Sequence, residues 1–211
     1  MSSKKIASLV KKLIKISGKA NVITKSWDKE AYEKGWRYGS GNAFAVTRPG
    51  NLLELWEILK ACNKDGVIII MQAANTGLTG GSTPHGNDYD RPVVIINTMR
   101  IDDIHLIDNG KQIIGLAGST LYSLERKLKK YDREPHSVIG STSIGASIIG
   151  GVCNNSGGSL VQRGPSFTEL ALYARVNKDG KLELINELGV DLGSSPEEIL
   201  KNLEDKNYNE K

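Results

Sequence analysis

The stretch MQAANTGLTGGSTPHGNDYDR, residues 71–91, leaves an apolar, β-branched run and passes through Ala73, Ala74, Gly77, Gly80, Gly81 and Ser82. Side chains this small leave the backbone exposed, and successive amide N–H groups turned toward one point form a concavity that binds an anion such as a phosphate or pyrophosphate. Asn75, Thr76 and Ser82 add side-chain hydrogen-bonding groups. A Gly-rich surface loop without a ligand has the same composition, so this loop alone leaves both readings open. Two familiar phosphate loops do not fit. A Walker loop needs Lys then Ser or Thr after its last glycine, whereas Gly81 is followed directly by Ser82. A dinucleotide-binding G-x-G-x-x-G turn opens a helix, whereas Pro84, His85 and Gly86 follow here.

A second unusual stretch, HSVIGSTSIGASIIGGVCNNSGGSLVQRG at residues 136–164, alternates small residues with Val138, Ile139, Ile144, Ile148 and Ile149. Gly140, Gly145, Ala146, Gly150 and Gly151 permit close backbone approach, and Ser147, Asn154, Asn155 and Ser156 offer polar tips. Two such surfaces suit a long ligand lying between two lobes. A helix packed closely on a sheet is the alternative. Catalytic side chains are sparse. His85, His105 and His136 form no paired-ligand pattern, which argues against a zinc site. Cys62 and Cys153 have neither metal spacing nor a nucleophile context, so reduced thiols are expected. His105 reads as an ordinary packed or surface residue, and His136 as structural. Asp88, Asp90 and Arg91 either fold the first loop down over a phosphate or form a solvated cluster.

The elements that must position these residues are legible in part. Ile6, Leu9, Val10, Leu13 and Ile14 recur at helical spacing over residues 3–17, with lysines between them and Gly18 as a stop. Six lysines fall in the first twenty residues, although the whole chain carries 28 Lys and Arg against 24 Asp and Glu. This basic helix either packs on its own domain or also meets an anionic membrane surface. A turn at Pro49 and Gly50 leads to a helix carrying Leu52 to Leu59 and closing near Gly66. VIIIM (residues 67–71) reads as a buried, parallel strand, and VVIIN (residues 93–97) as another. HLID, Asn109-Gly110 and QIIGLAG form an antiparallel hairpin, because Asn-Gly supplies the positive φ of a tight turn. A helix with Leu121, Leu124 and Leu128 on one face starts at Ser119 or Thr120. A second hairpin turns at Lys178, Asp179 and Gly180, and a last helix starts at Ser195 with Pro196 first and Glu198 three residues after the cap. After Leu203 only a charged tail is expected.

The chain thus divides into an amino-terminal basic helix (1–20), a first lobe of α/β type with short parallel strands (21–100), a second lobe of mainly antiparallel strands and helices (101–193) and a terminal helix with its tail (194–211). The fold class is α+β. The 39% hydrophobic content supports a packed core. No run of about eighteen apolar residues suggests a membrane span, and Lys11, Lys12 and Lys15 interrupt any signal-peptide core. The reduced thiols expected of Cys62 and Cys153 suit a cytoplasmic location, with peripheral attachment to the cytoplasmic face of the inner membrane left open. The basic excess lacks an aromatic platform, which argues against nucleic acid.

The motifs NLLELWEILKAC, MQAANTGLTGGSTPHGNDYDR, LYSLERKLKKYDREPHSVIG and IGGVCNNSGGSLVQRGP together cover most of residues 36–193. In them the chain resembles the flavin-binding domain of the vanillyl-alcohol oxidase and p-cresol methylhydroxylase superfamily, and within it the respiratory, quinone-dependent D-lactate dehydrogenases. The resemblance implies FAD between two lobes. Its pyrophosphate would lie on Ala73, Ala74, Asn75, Thr76, Gly77, Gly81 and Ser82, with Gly140, Ser147 and Gly157 contributed by the second lobe. The flavin is expected to be noncovalent, since no His or Cys stands at the linkage position of some relatives. Members of the family extend well beyond 211 residues, into a substrate cap that carries the catalytic base. The resemblance therefore implies no catalytic residue here and no lactate oxidation by this chain alone, with D-lactate and quinone as partners of the complete enzyme. The alternatives are a flavin oxidoreductase for glycolate or another 2-hydroxy acid, and a noncatalytic remnant or subunit completed by self-association or a partner chain.

Overall fold

The computed structural model describes residues 1–136, 139–157, 161–166 and 168–209. Val138 and residues 158–160 of the second small-residue stretch lie outside them. The described chain forms two compact units, Met1–Arg100 with Arg175–Glu183, and Ile101–Ala174 with Leu184–Lys211.

The first unit opens with helix α1 (Ser3–Ser17), which ends at Gly18. Strand β1 (Val22–Ile23), helix α2 (Ser26–Glu33), strand β2 (Ala45–Thr47), helix α3 (Leu52–Asp65), strand β3 (Ile68–Gln72) and strand β4 (Val93–Asn97) follow. Asn51 caps α3 by accepting from the Glu54 N–H at 2.7 Å, and Gly66 closes it in the left-handed conformation at φ 68°, where a side chain would cost energy. The sheet order is β1-β2-β4-β3. Strands β2, β4 and β3 run parallel, and β1 is antiparallel to β2.

Strand β4 is buried along its whole length because both of its faces are covered. Val94 and Ile96 join Leu9, Leu13, Ile58 and Cys62 on the side of α1 and α3. Val93 and Ile95 face the opposite way, with Ala43, Val46, Tyr32 and Tyr89. Each fully buried Val or Ile side chain contributes about 1.5–3 kcal/mol. The expectation of a buried strand at residues 67–71 needs correction. Strand β3 is one residue later and lies at the sheet edge, so Ile68, Ile69 and Ile70 are half-buried and Met71 is exposed. Helix α2 and strands β1 and β2 were not foreseen. The strands are too short to show a period, and α2 is held by a buried ion pair instead of an apolar stripe. Its Lys29 Nζ lies 2.8 Å from Glu33 Oε1 and also donates to the Ala43 carbonyl, while the Ala43 N–H donates to the same carboxylate.

The second unit contains strands β5 (Ile104–Ile107) and β6 (Gln112–Gly115), paired antiparallel across Asp108, Asn109 and Gly110, all three at positive φ. Helix α4 (Leu121–Leu128) is capped by Thr120 Oγ1 and packs Leu121, Leu124 and Leu128 against Ile104, Ala146 and Ile148. A short helix α5 (Ile148–Cys153) follows. Strands β7 (Leu172–Val176) and β8 (Leu182–Asn186) form the second hairpin, whose tip groups with the first unit. Helix α6 (Pro196–Glu204) is capped by Ser195. The residues beyond it are more than a charged tail. Tyr208 Oη lies 2.7 Å from His105 Nδ1, and Lys206 Nζ lies 2.9 Å from Asp103 Oδ2. An aromatic ring and an ammonium that find buried or charged partners dock a segment that composition alone reads as solvated.

Candidate functional site

The first small-residue loop leaves β3 at Gln72, and its two ends are clamped by amide side chains. Gln72 is buried, and its Nε2 donates to Tyr32 O at 2.9 Å and Ser82 O at 2.8 Å. Asn97 Nδ2, from the register-matched end of β4, donates to Gln72 Oε1 at 3.2 Å and to Ala73 O at 2.9 Å. Inside the loop Asn75 adopts φ 56°. Its Nδ2 donates to Lys34 O at 2.8 Å, and its Oδ1 accepts from Ser82 Oγ at 2.7 Å. Two rigid elements, the edge strand and the segment after α2, therefore fix the loop.

Between those clamps the backbone is available. Among the described residues, none of the N–H groups of residues 74–82 donates to another group of the chain. A methyl group built on Gly77 would meet only Ser82 Oγ at 3.9 Å, and one on Gly81 only Thr79 Oγ1 at 4.0 Å. The chain's own packing does not require these glycines. A row of undirected amide donors with open space beside it, and no acidic side chain among residues 72–82, fits a diphosphate. The structure thus gathers Ala73, Ala74, Asn75, Thr76, Gly77, Gly81 and Ser82 into one clamped loop. Asp90 and Arg91 pair at 3.1 Å as exposed residues beyond it.

Gly140, Ser147 and Gly157 belong to the second unit. Ser147 is buried and caps α5, accepting from the Gly150 N–H at 3.0 Å. Added methyl groups at Gly140 and Gly157 would meet nothing within 4 Å, and one at Gly151 only a Leu121 methyl at 3.8 Å. The chain's own packing requires a bare Cα at none of these three positions, as at Gly77 and Gly81. At Gly150 the tight neighbour is the capping hydroxyl of Ser147, at 2.8 Å. His136 Nε2 lies 2.9 Å from Arg163 O. The described residues of the second stretch build caps and turns.

Sequence reasoning missed Gln72 and Asn97. A signal was present: two parallel apolar runs, IIIMQ and VVIIN, both end in a side-chain amide. It also missed a pocket of about 580 Å3 beside the loop, lined by Trp27, Glu30, Lys34, Trp36, Ala74 and Asn75 among others. Trp27 and Trp36 are 71% and 62% exposed, and Lys25 Nζ stands 5.5 Å from the Trp27 ring centroid.

The strongly perturbed titrations do not belong to this loop. Burial and the nearby Asp65 charge push the Cys62 thiol up to about 12, which keeps it protonated and inert. Burial alone would raise the Asp103 carboxyl, but hydrogen bonds from Lys206, the Ile104 N–H and Lys127 bring it down to about 2. Burial, aided by the Lys206 charge, lowers His105 below its ordinary value. Its ring stacks on Tyr208 with centroids 5.9 Å apart, and its buried Nε2 has no hydrogen-bond partner among the described residues.

Residues 43–185 match the family model described as FAD binding domain. The chain is 62% identical over 203 residues to the quinone-dependent D-lactate dehydrogenase of Haemophilus influenzae, covering 96% of this chain and 36% of that protein. It is 58% identical over 198 residues to the enzyme of the same name from Escherichia coli strain K12, covering 94% and 35%. The chain thus spans about a third of the length of the curated relatives it matches. Its fold superposes on p-cresol methylhydroxylase with a TM-score of 0.66 at 16% identity, covering 87% of this chain and 36% of the other. No helix among the described residues is long and apolar enough to cross a membrane. The clamped small-residue loop lies within the matched residues, and the chain belongs to the FAD-binding domain family.

Proposed function

We propose that this chain is the cofactor-holding part of a quinone-dependent D-lactate dehydrogenase, which oxidises D-lactate to pyruvate and passes the electrons through FAD to a quinone. The observation that carries this reading is the 62% identity spread over 96% of the chain. The free amides of residues 74–82 supply the physical reason for FAD. In this proposal Ala73, Ala74, Asn75, Thr76, Gly77, Gly81 and Ser82 hold the pyrophosphate, and Gly140, Ser147 and Gly157 of the second unit contact the same noncovalent cofactor. Bound FAD supplies the hydride acceptor that no side chain can provide. The protein residues bind and orient it. Asn75 serves as the loop's keystone, since its two hydrogen bonds set the direction in which the flanking amides point.

No side chain of the loop is assigned to proton abstraction, and D-lactate with a dye acceptor is expected to give no turnover with these 211 residues alone. Robust turnover would overturn that. FAD retention is the primary test. The purified chain, incubated with FAD and freed of excess ligand, should keep a flavin absorption band. Loss of the band from a protein whose circular dichroism is intact would overturn the cofactor assignment. Oxidation of glycolate or another 2-hydroxy acid is the second reading. It is favoured only by the shared fold, which does not distinguish substrates.

The basic face of α1 carries Lys4, Lys5, Lys11, Lys12 and Lys15, and we include peripheral contact with an anionic membrane surface on the cytoplasmic side in the proposal. Co-sedimentation with anionic vesicles that disappears at high salt supports it. Self-association or a partner chain is tested by sedimentation over a range of concentrations.

A further inference from the structure

We infer that the pocket between α2 and the first loop is the docking site for the ring of the quinone acceptor. The inference rests on the function proposed above and adds a location that the similarity does not supply. The pocket's volume of about 580 Å3 falls within the range of ordinary ligand sites. Its lining is built for a flat, largely apolar guest. Trp27 and Trp36 present two indoles that no core residue covers, and Ala31, Gly35 and Ala74 keep the walls low. Large exposed tryptophans are costly to leave in water, and two of them around one concavity mark a ligand surface better than scattered apolar residues do. The third tryptophan of the chain, Trp56, is 4% exposed and belongs to the core.

The polar groups select among flat guests. Asn75 gives one amide hydrogen to Lys34 O and accepts from Ser82 Oγ. The lining then offers the indole N–H groups, the Lys34 ammonium, the Glu30 carboxylate, the second Asn75 amide hydrogen and the free N–H groups of Ala74 and Asn75. A quinone offers two carbonyl acceptors on an otherwise apolar ring and needs only one or two donors. Ala74 and Asn75 belong both to the pocket wall and to the amide loop, so the guest sits next to the cofactor loop without needing its amides. Lys25 over Trp27 presets that indole before any ligand arrives.

The test is equilibrium dialysis of the FAD-loaded chain against 2-methyl-1,4-naphthoquinone, with flavin absorbance read in the same samples. Saturable uptake of one quinone per chain is expected. Trp36→Leu and Trp27→Leu should each weaken it about tenfold while FAD stays bound. Both positions are exposed, and circular dichroism checks that the variants fold. Absence of saturable uptake, or uptake unchanged in both variants, overturns the inference. So does release of FAD by the variants without quinone binding, which would assign the pocket to the flavin. If the unmodified chain fails to retain FAD, the cofactor assignment falls separately. Dialysis of the cofactor-free protein then still decides the pocket, because tryptophan-dependent uptake supports it and its absence overturns it.

Discussion

Residues 35–41 and residues 74–82 are both rich in glycine and lie in the same unit, yet their glycines answer to different demands. A methyl group on Gly41 would stand 2.5 Å from Gly86 O and 2.8 Å from Gly86 N, so the chain's own backbone excludes it. The Gly86 N–H donates to Ser40 O at 2.8 Å and the Asn42 N–H to Gly86 O at 3.3 Å, which shows why the two segments must approach so closely. Gly77 and Gly81 meet no backbone at all. Glycine in the first segment serves folding; in the second, Gly80 at φ 76° also packs, a Cβ there standing 3.0 Å from the Tyr38 ring, while Gly77 and Gly81 leave room for something other than the chain. Composition cannot separate these roles, because the difference lies in what stands opposite the missing Cβ.

Substitution at Gly41 gives the largest effect that this contrast predicts. Gly41→Ala forces a Cβ into backbone that cannot yield cheaply, and should lower stability by about 3 kcal/mol in denaturant unfolding. A midpoint within error of the parent would dissolve the contrast. Next comes Gln72→Ala, which strips the Tyr32 and Ser82 carbonyls of a buried donor. It should cost about 2 kcal/mol and weaken FAD binding as well, since the loop loses one foot. Gly77→Ala should do the reverse of Gly41→Ala. Unfolding should move by no more than about 0.5 kcal/mol, while titration with FAD shows affinity lower by about tenfold. Equal FAD affinity would mean that the open side of Gly77 faces no ligand. Ser147→Ala, in the second unit, removes the α5 cap and should cost about 1 kcal/mol.

The smallest effect concerns pH. Asp103 is held at about 2, below its ordinary 3.8, so its contribution to stability is complete above about pH 4 and is lost as pH falls toward 2. Its side chain is 43% exposed, and screening limits that contribution to about 1 kcal/mol. His105 is also lowered, from 6.5, so the folded state takes up its proton later than the unfolded chain and stability begins to fall as pH drops through 6.5. Urea midpoints at pH 7, 5 and 3 should decline for the parent chain. The decline from 7 to 5 should flatten in His105→Gln, and that from 5 to 3 in Asp103→Asn. Unchanged slopes would remove the electrostatic account of how the Tyr208 segment docks.

Much of the fold was legible because local rules and tertiary packing agree. The α1 stripe, the Pro49-Gly50 turn before α3 and its Gly66 stop, the parallel β4 and the Ser195-Pro196 start of α6 are each dictated by spacing, caps or β-branched runs that act within a few residues. The loop at residues 71–91 was recognisable for the same reason, since small residues after a strand expose backbone wherever they occur. Several features had no local cause. Strand β3 became an edge because of sheet order, which depends on where β2 pairs. Helix α2 is held by a Lys29–Glu33 pair that gains its strength only once both are buried beside Ala43. Asn75 has a partner 41 residues away, at Lys34 O. The aromatic pocket exists because α2 and that loop meet. The amino-acid order by itself determined helices α1, α3, α4 and α6, the apolar runs of β3 and β4, the two hairpins and the open small-residue loop. Only the tertiary structure decided which glycines pack, which amides stay free and which tryptophans surround a cavity, because each of these depends on atoms brought together from distant parts of the chain.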